Sequence, residues 1–387
     1  MYFGVCGIGL GHVGRCIPIA NSLRQAGNEV AFSTYKEAIS YVKRENYHLF
    51  RAPPIYFAVK SDGGVDFRLT TAKPGIFSIF IFLNQLKKEI EFLKRYSPDF
   101  VVSDSRLSTI IAAFLLKIPA LTILNLYRIT IPREKRFLHL AKIADGGILT
   151  IIGRIWNMSK AVLVPDFPYP YTLSVENLLV PPWRRKKIKL IGPTIPTRAE
   201  DLPEAAEIRR SFGLDDRPLI FVPISGPPEE RRYFTDLMKQ LLRNFSNDYQ
   251  IIMSLGSPSS QTEPIRSGSM ITYDWLPNRF EVLKACDLVI SRAGLGTITQ
   301  AICYGKPLLL IPTPHQTEQL NNAKRAEKLG VAMILDQKAL NCDLLLSAVK
   351  KFFSLDSYKI KAEEIQREVS RYDAVNTTVK MIKDLSG

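Results

Sequence analysis

A chain of 387 residues, 46% of them apolar, is too long for one core and too apolar for a disordered polymer, so two folded domains are expected. The net charge of +15 is lopsided: residues 1–197 carry 27 Lys and Arg against 13 Asp and Glu, a balance of +14, while residues 198–387 carry 25 against 24, a balance of +1. Such a half suits an anionic partner (phosphate groups, an anionic membrane surface or nucleic acid), and the asymmetry argues against a basicity shared by the whole chain.

The chain enters a strand at once, Tyr2 to Cys6, which leaves no room for a signal peptide. A Gly-rich turn, Gly7 to His12, leads into a helix from Val13 to Ala26, stopped by Gly27. Glu29 to Ser33 reads as the next strand. From Tyr35 to Pro98 the pattern thins, apart from Ile76 to Lys88 (IFSIFIFLNQLKK), which is apolar and then basic. Its run from Ile76 to Leu83 is the longest apolar one, far short of the ~20 residues of a transmembrane helix. Pro98 to Ser103 is a strand tipped by Asp104, followed by a helix near Ser108 to Leu116 and strands at Pro119 to Leu124 and Ala161 to Val164. Arg133 to Lys160 mixes apolar and basic residues, and Trp183 to Lys189 (WRRKKIK) is a compact basic knot.

Leu190 to Leu202 is rich in Pro, Thr and charge. Residues 195–202 are read as a linker between an N-terminal domain, 1–194, and a C-terminal domain, 203–370. The pattern then restarts: strand Pro218 to Pro223, helix Glu229 to Phe245, strand Gln250 to Ser254, a short extended Ile271 to Tyr273, helix Arg279 to Ala285, strands Leu288 to Ile290 and Pro307 to Ile311. Lys359 to Leu385 closes the chain as a helical stretch with a break at Tyr372-Asp373, so that 371–387 form a last helix. The alternation implies two Rossmann-like α/β domains, each a parallel sheet with helices on both faces. Five cysteines, with no CxxC pair, read as mostly buried free thiols in a reducing cytoplasm.

The chemistry concentrates in Ser291 to Ala323. Arg292-Ala293-Gly294-Leu295-Gly296-Thr297 joins a strand to a helix, and unpaired N–H groups at a helix start favour an anion such as a pyrophosphate. The next strand leads to His315, Glu318, Gln319, Asn321 and Asn322, polar residues where open α/β sheets place ligands. A phosphate cradle beside a hydroxyl-binding cluster reads as a nucleotide-sugar site. Trp275 to Asn278 (WLPN) offers an aromatic for a nucleobase, or a core tryptophan. Ser225-Gly226 offers phosphate donors, or an ordinary turn.

In the first half, Gly7-Ile8-Gly9-Leu10-Gly11-His12 lacks the partner acid of a dinucleotide site, since the second strand ends in Ser33-Thr34-Tyr35. His12 stands where an imidazole can deprotonate a hydroxyl near neutral pH, or merely cap the turn. Asp104 opens on the same sheet edge, as an imidazole-orienting carboxylate or as the N-cap of the next helix. There is no DxD, HExxH, GxSxG or Walker loop, and four histidines in all, so no metal site is expected.

These motifs resemble the GT-B nucleotide-sugar glycosyltransferases, in the branch of the MurG-type N-acetylglucosaminyltransferases and the UDP-glycosyltransferases. The resemblance spans both domains and is strongest over Trp275 to Ala323. It implies two Rossmann-like domains facing across a cleft, with the C-terminal helix returning to the first. It implies a UDP-sugar bound by Trp275 and Asn278 at the base and ribose, and by Arg292, Gly294, Gly296 and Thr297 at the pyrophosphate. Ser225, Gly226 and His315 join this donor set, and Glu318 and Gln319 hold the sugar hydroxyls. Gln300 stands where the family usually has a ribose-gripping Glu, so a charge-assisted bond is lost there. On the acceptor side it implies His12 as base, Asp104 as its partner and Gly9, Leu10 and Gly11 lining the acceptor.

The expected function is inverting, metal-independent transfer of a hexose or N-acetylhexosamine from a UDP-sugar to a lipid-linked or otherwise anionic acceptor. The UDP-sugar is a co-substrate and no cofactor is expected. The +14 half, which holds acceptors in this family, favours an anionic acceptor and peripheral association with the inner face of a membrane. Two rivals stay open within the enzymes: transfer to a small soluble aglycone, and a UDP-sugar epimerase or hydrolase that needs no acceptor. A nucleic-acid module finds no aromatic-interleaved basic motif in its support.

Overall fold

The computed structural model describes residues 1–55, 75–126, 152–178, 186–243, 245–258, 260 and 263–386, with side chains 75–78 also outside the description. The apolar-basic stretch Arg133 to Lys160 lies largely outside the described residues, as do Trp183 to Arg185 of the basic knot.

The first sheet has seven parallel strands in the order β3-β2-β1-β4-β5-β6-β7. They are β1 Tyr2–Val5, β2 Ala31–Thr34, β3 His48–Arg51, β4 Val101–Asp104, β5 Ala120–Ile123, β6 Ala161–Val164 and β7 Ile188–Leu190. Four-residue strands such as β1, β2, β4, β5 and β6 are buried throughout, as expected of parallel strands covered on both faces. The basic knot ends in β7, an edge strand. Just before it, Lys187 donates to the carbonyls of Asn157 at 2.6 Å and Ser159 at 3.1 Å, which ties β7 to the chain that leads into β6.

The second sheet follows the order β10-β11-β9-β8-β12-β13-β14. Its strands are β8 Leu219–Pro223, β9 Gln250–Ser254, β10 Ile265–Ser267, β11 Met270–Tyr273, β12 Leu288–Ser291, β13 Leu308–Leu310 and β14 Ala332–Ile334. Only β10 runs antiparallel. The helices Cys342–Phe353 and Ser357–Val369 complete this half. The last helix, Ala374–Ser386, crosses back and buries Ala374, Val379 and Ile382 in the core of the first domain, beside the helix Gly11–Gln25. The break at Tyr372-Asp373 is thus a crossing point: Tyr372 packs on Gly192, where a Cβ would sit 2.6 Å from Tyr372 Cβ and where φ is 82°.

Of the five free cysteines, Cys16 and Cys286 are buried and Cys6 and Cys303 half-buried. Cys342 departs from the expectation, because it opens a helix at the surface and is exposed. Among the described residues, no helix is long and apolar enough to cross a membrane.

Candidate active site

The C-terminal ends of both sheets meet. In the first sheet the strand order reverses between β1 and β4, and in the second between β8 and β12. Loops leaving such switch points diverge and open a crevice. His12 follows β1, Asp104 ends β4, Ser225-Gly226 follows β8 and the Gly-rich loop follows β12.

His12 lies on the first turn of the helix Gly11–Gln25. Its Nδ1 stands 2.7 Å from Asp104 Oδ1, with the imidazole a quarter exposed and the carboxylate fully buried. An Nδ1–H donating to Asp104 leaves Nε2 as the free base. Asp104 is not a helix cap: the following helix, Leu107–Leu115, starts after Arg106. One turn beyond His12, the buried Arg15 grips Asp104 through Nε and Nη2 and donates to the Asn125 carbonyl oxygen. Burial by itself would raise the Asp104 carboxyl, but the charges and hydrogen bonds of Arg15 and His12 outweigh it and hold the group far below the usual carboxylate range.

Glu318 reaches this cluster from the opposite domain. It starts the helix Thr317–Lys328, hydrogen-bonds Asn125 and feels the charges of His12 and Arg15. Burial raises its carboxyl, and the neighbouring Arg15 guanidinium and the hydrogen bond from Asn125 pull it back. Asn125, at the end of β5, therefore bridges Arg15 and Glu318.

The Gly-rich loop ends at Gly294, the N-cap of the helix Leu295–Cys303, where no side chain caps the first turn. A Cβ added at Gly294 or Gly296 would meet nothing within 4 Å, so the helix start with Thr297 opens on free space. Asn278 is exposed at the N-cap of the helix Arg279–Ala285. Ser225 and Gly226 form the turn before the helix Pro228–Leu242, with Gly226 at φ 116°. His315 is exposed, with its backbone in the left-handed region at φ 63°.

Several expected contacts are spent inside the protein. Arg292 is turned into the protein: its guanidinium is 3% exposed, donates to Ile311 O at 3.0 Å and lies 4.1 Å from the Phe234 ring centre. The buried Glu230, 3.9 Å from its Nε, draws the cation inward. Gln319 is likewise committed: its carbonyl oxygen accepts from Thr313 N at 2.8 Å and its amide donates to Glu230 at 2.8 Å. The oxygen of Gln300 accepts from Arg279, which leaves its N–H groups and one lone pair for a ligand. Trp275 packs edge-on against Tyr41 at 5.4 Å, with the Arg44 guanidinium 5.5 Å from its ring centre, so the first domain covers it. Gly9 N donates to Glu37 at 3.2 Å, and a side chain at Gly9 would meet Gly226 across the crevice, 3.3 Å from its Cβ. Leu10 is the N-cap of the helix that carries His12, and Gly11 is exposed beside it.

Residues 1–197 match the family model described as Glycosyl transferase family 1, and residues 230–378 match the Glycosyltransferase family 28 C-terminal domain. The chain belongs to the GT-B glycosyltransferases.

An uncharacterized glycosyltransferase of Methanosarcina acetivorans is 26% identical to this glycosyltransferase, over 98% of this chain and 96% of the relative. The UDP-N-acetylglucosamine--N-acetylmuramyl-(pentapeptide) pyrophosphoryl-undecaprenol N-acetylglucosamine transferase of Aquifex aeolicus is 27% identical over 47% of this chain and 52% of its own. Among solved structures, the MurG of Acinetobacter baumannii superposes with a TM-score of 0.60 at 15% identity, over 99% of both chains. The spinosyn forosaminyltransferase SpnP superposes with a TM-score of 0.66 at 18% identity, over 100% of this chain and 98% of its own. These two likenesses show the fold.

Sequence reading missed four residues that organise the candidate site: Arg15, Asn125, Glu230 and Arg279. For Arg15 a signal exists, since three residues from His12 on a helix is the same face. The other three come from elements far apart in sequence, and their roles arise only from packing. The assembled site holds an oriented imidazole, with the Glu318 carboxyl beside it, in the same crevice as an uncapped helix start suited to an anion.

Proposed function

We propose that this glycosyltransferase moves a hexose or N-acetylhexosamine from a UDP-sugar, with inversion and without a metal, to a lipid-linked acceptor. The observation that carries the reading is the His12–Asp104 pair facing Glu318 and the uncapped start of Leu295–Cys303 across one crevice. His12 Nε2 takes the proton of the acceptor hydroxyl, and the acceptor oxygen attacks the anomeric carbon from the side opposite the nucleotide. The diphosphate leaves with the bonding electrons, stabilised by the helix N–H groups around Gly294 and Gly296. Glu318 accepts from sugar hydroxyls. The donor test is thermal shift against UDP-, dTDP- and GDP-sugars: about 100-fold saturation adds roughly 2.7 kcal/mol of stability. Shifts confined to another nucleotide overturn the choice of UDP.

The helix Gly75–Tyr96 supports the lipid acceptor. Ser108 bonds Gln85 at 2.7 Å, so the residues before Gln85 run on for about 15 Å past the start of the neighbouring helix, beyond the edge that carries His12. There Ile79, Phe80 and Leu83 are 59%, 63% and 51% exposed, with Lys87 on the same row. An apolar row ending in a cation suits the headgroup boundary of an anionic bilayer. Changing all three to serine is expected to weaken binding to phosphatidylglycerol vesicles at least about tenfold, leaving the nucleotide-sugar shift unaltered. A protein that ignores such vesicles at low salt has no lipid-surface acceptor. Robust turnover of a small phenol without detergent then favours the soluble aglycone.

A further inference from the structure

One segment of the first domain is docked on the second. Between β6 and β7, Asp166 accepts from Phe167 N, Leu173 N and Ser174 N at 2.7, 3.0 and 2.7 Å, and from Ser174 Oγ at 2.6 Å, which folds the segment tightly. Phe167 and Leu173 then bury themselves in the core of the second domain. Arg325, on the helix Thr317–Lys328, donates to Thr172 O at 2.9 Å and to Pro170 O.

The segment ends in a short turn, Glu176–Leu178, that presents Asn177, 2% exposed. Asn177 Nδ2 donates to Asn322 Oδ1 at 3.0 Å, and Asn177 Oδ1 accepts from Asn321 Nδ2 at 3.0 Å. Asn322, fully buried, donates its own amide to Ala293 O at 3.2 Å. Ala293 immediately precedes Gly294, where the Gly-rich loop enters its helix.

These amides have one consistent orientation. Because Asn177 donates to the oxygen of Asn322, the Asn322 amide nitrogen must face Ala293 O. We propose that Asn177, supplied by the first domain, is a positioning residue for the diphosphate-binding loop of the second. It acts through Asn322, which pins Ala293 and so aims the N–H groups that follow. The inference rests on the reading of that loop as the diphosphate site.

Asn177→Asp tests it with almost no change of shape. A carboxylate cannot donate, so Asn322 turns its amide to the new acid and presents its oxygen to Ala293 O, where two acceptors repel. The probe is UDP, by titration calorimetry on the full chain, with transfer kinetics alongside. N177D is expected to raise the UDP Kd and the donor KM by about tenfold, with the acceptor KM unchanged. In an Asn322→Ala background the same change should add nothing, because the path to the loop is already cut. A Kd within twofold of wild type overturns the proposal, as do effects of N177D and N322A that multiply. Should N177D not fold, Asn177→Ser leaves both bonds unmade without a charge and is read in the same way. If the wild type binds no nucleoside diphosphate, the diphosphate reading falls and this inference with it. Wild-type binding that ignores N177D sinks the inference alone.

Discussion

His12→Ala is expected to lower kcat by about 100- to 10,000-fold, the usual contribution of a positioned general base. Nothing else should move much. The ring is a quarter exposed, and in the proposed function the donor is held by the opposite domain, so the nucleotide-sugar thermal shift should stay as in wild type. Asp104→Asn should fail in a second way. The imidazole loses the acceptor that fixes its tautomer, and Arg15 is left as a buried cation without its carboxylate. Asp104 also carries a pH signature. Its folded pKa lies below the unfolded value of about 3.9, so its contribution to stability is complete above that pH and fades as pH falls toward the lower folded value. The Asp104 share of the stability gap between wild type and D104N should therefore be lost only in acid below about pH 4. If H12A keeps kcat within tenfold while its acceptor KM rises, the acceptor needs no deprotonation, and His12 positions it instead.

Glu89→Ala is expected to cost about 3–5 kcal/mol of stability, the typical penalty for stranding one half of a buried ion pair. Glu89, on the helix Gly75–Tyr96, is fully buried and bonds Arg106 at 2.6 Å, Thr109 at 2.9 Å, and Tyr2 and Ser33 at 3.0 Å. Arg106, 2% exposed, also donates to Ser33 O at 2.8 Å. Removing the acid strands a cation in the core beneath the first sheet's crevice. Replacing both partners, Glu89→Leu with Arg106→Met, should recover much of the loss, since the cost lies in the unpaired charge and not in the missing attraction. Urea unfolding of the three proteins reads this directly. Equal losses in E89A and in the double variant would mean that shape, not charge, holds this region.

The strands that were legible, such as Ala161–Val164 and Gln250–Ser254, are buried on both faces and followed closely by proline or glycine, so composition marks them. The edge strands β3, β10 and β14 and the short helix Ala38–Arg44 were not legible, because edges carry mixed residues whose strand character comes from a neighbour. The site divides the same way. His12, Asp104 and Gly294 stand at strand ends, and a strand followed by a glycine turn and a helix is a local pattern.

What the sequence by itself determined is therefore the set of chemical groups at the strand tips, since local periodicity and glycine placement decide where each strand ends. What only the tertiary structure decided is which tips become neighbours and which side chains remain free. Strand order is a long-range choice: it set β1 beside β4, and so His12 beside Asp104. Hydrogen-bond commitments are long-range too. Buried Glu230 claimed Gln319 and drew in Arg292, and Arg279 claimed the oxygen of Gln300. A buried polar group must find a partner, and the partner it finds depends on packing that no local stretch of sequence contains.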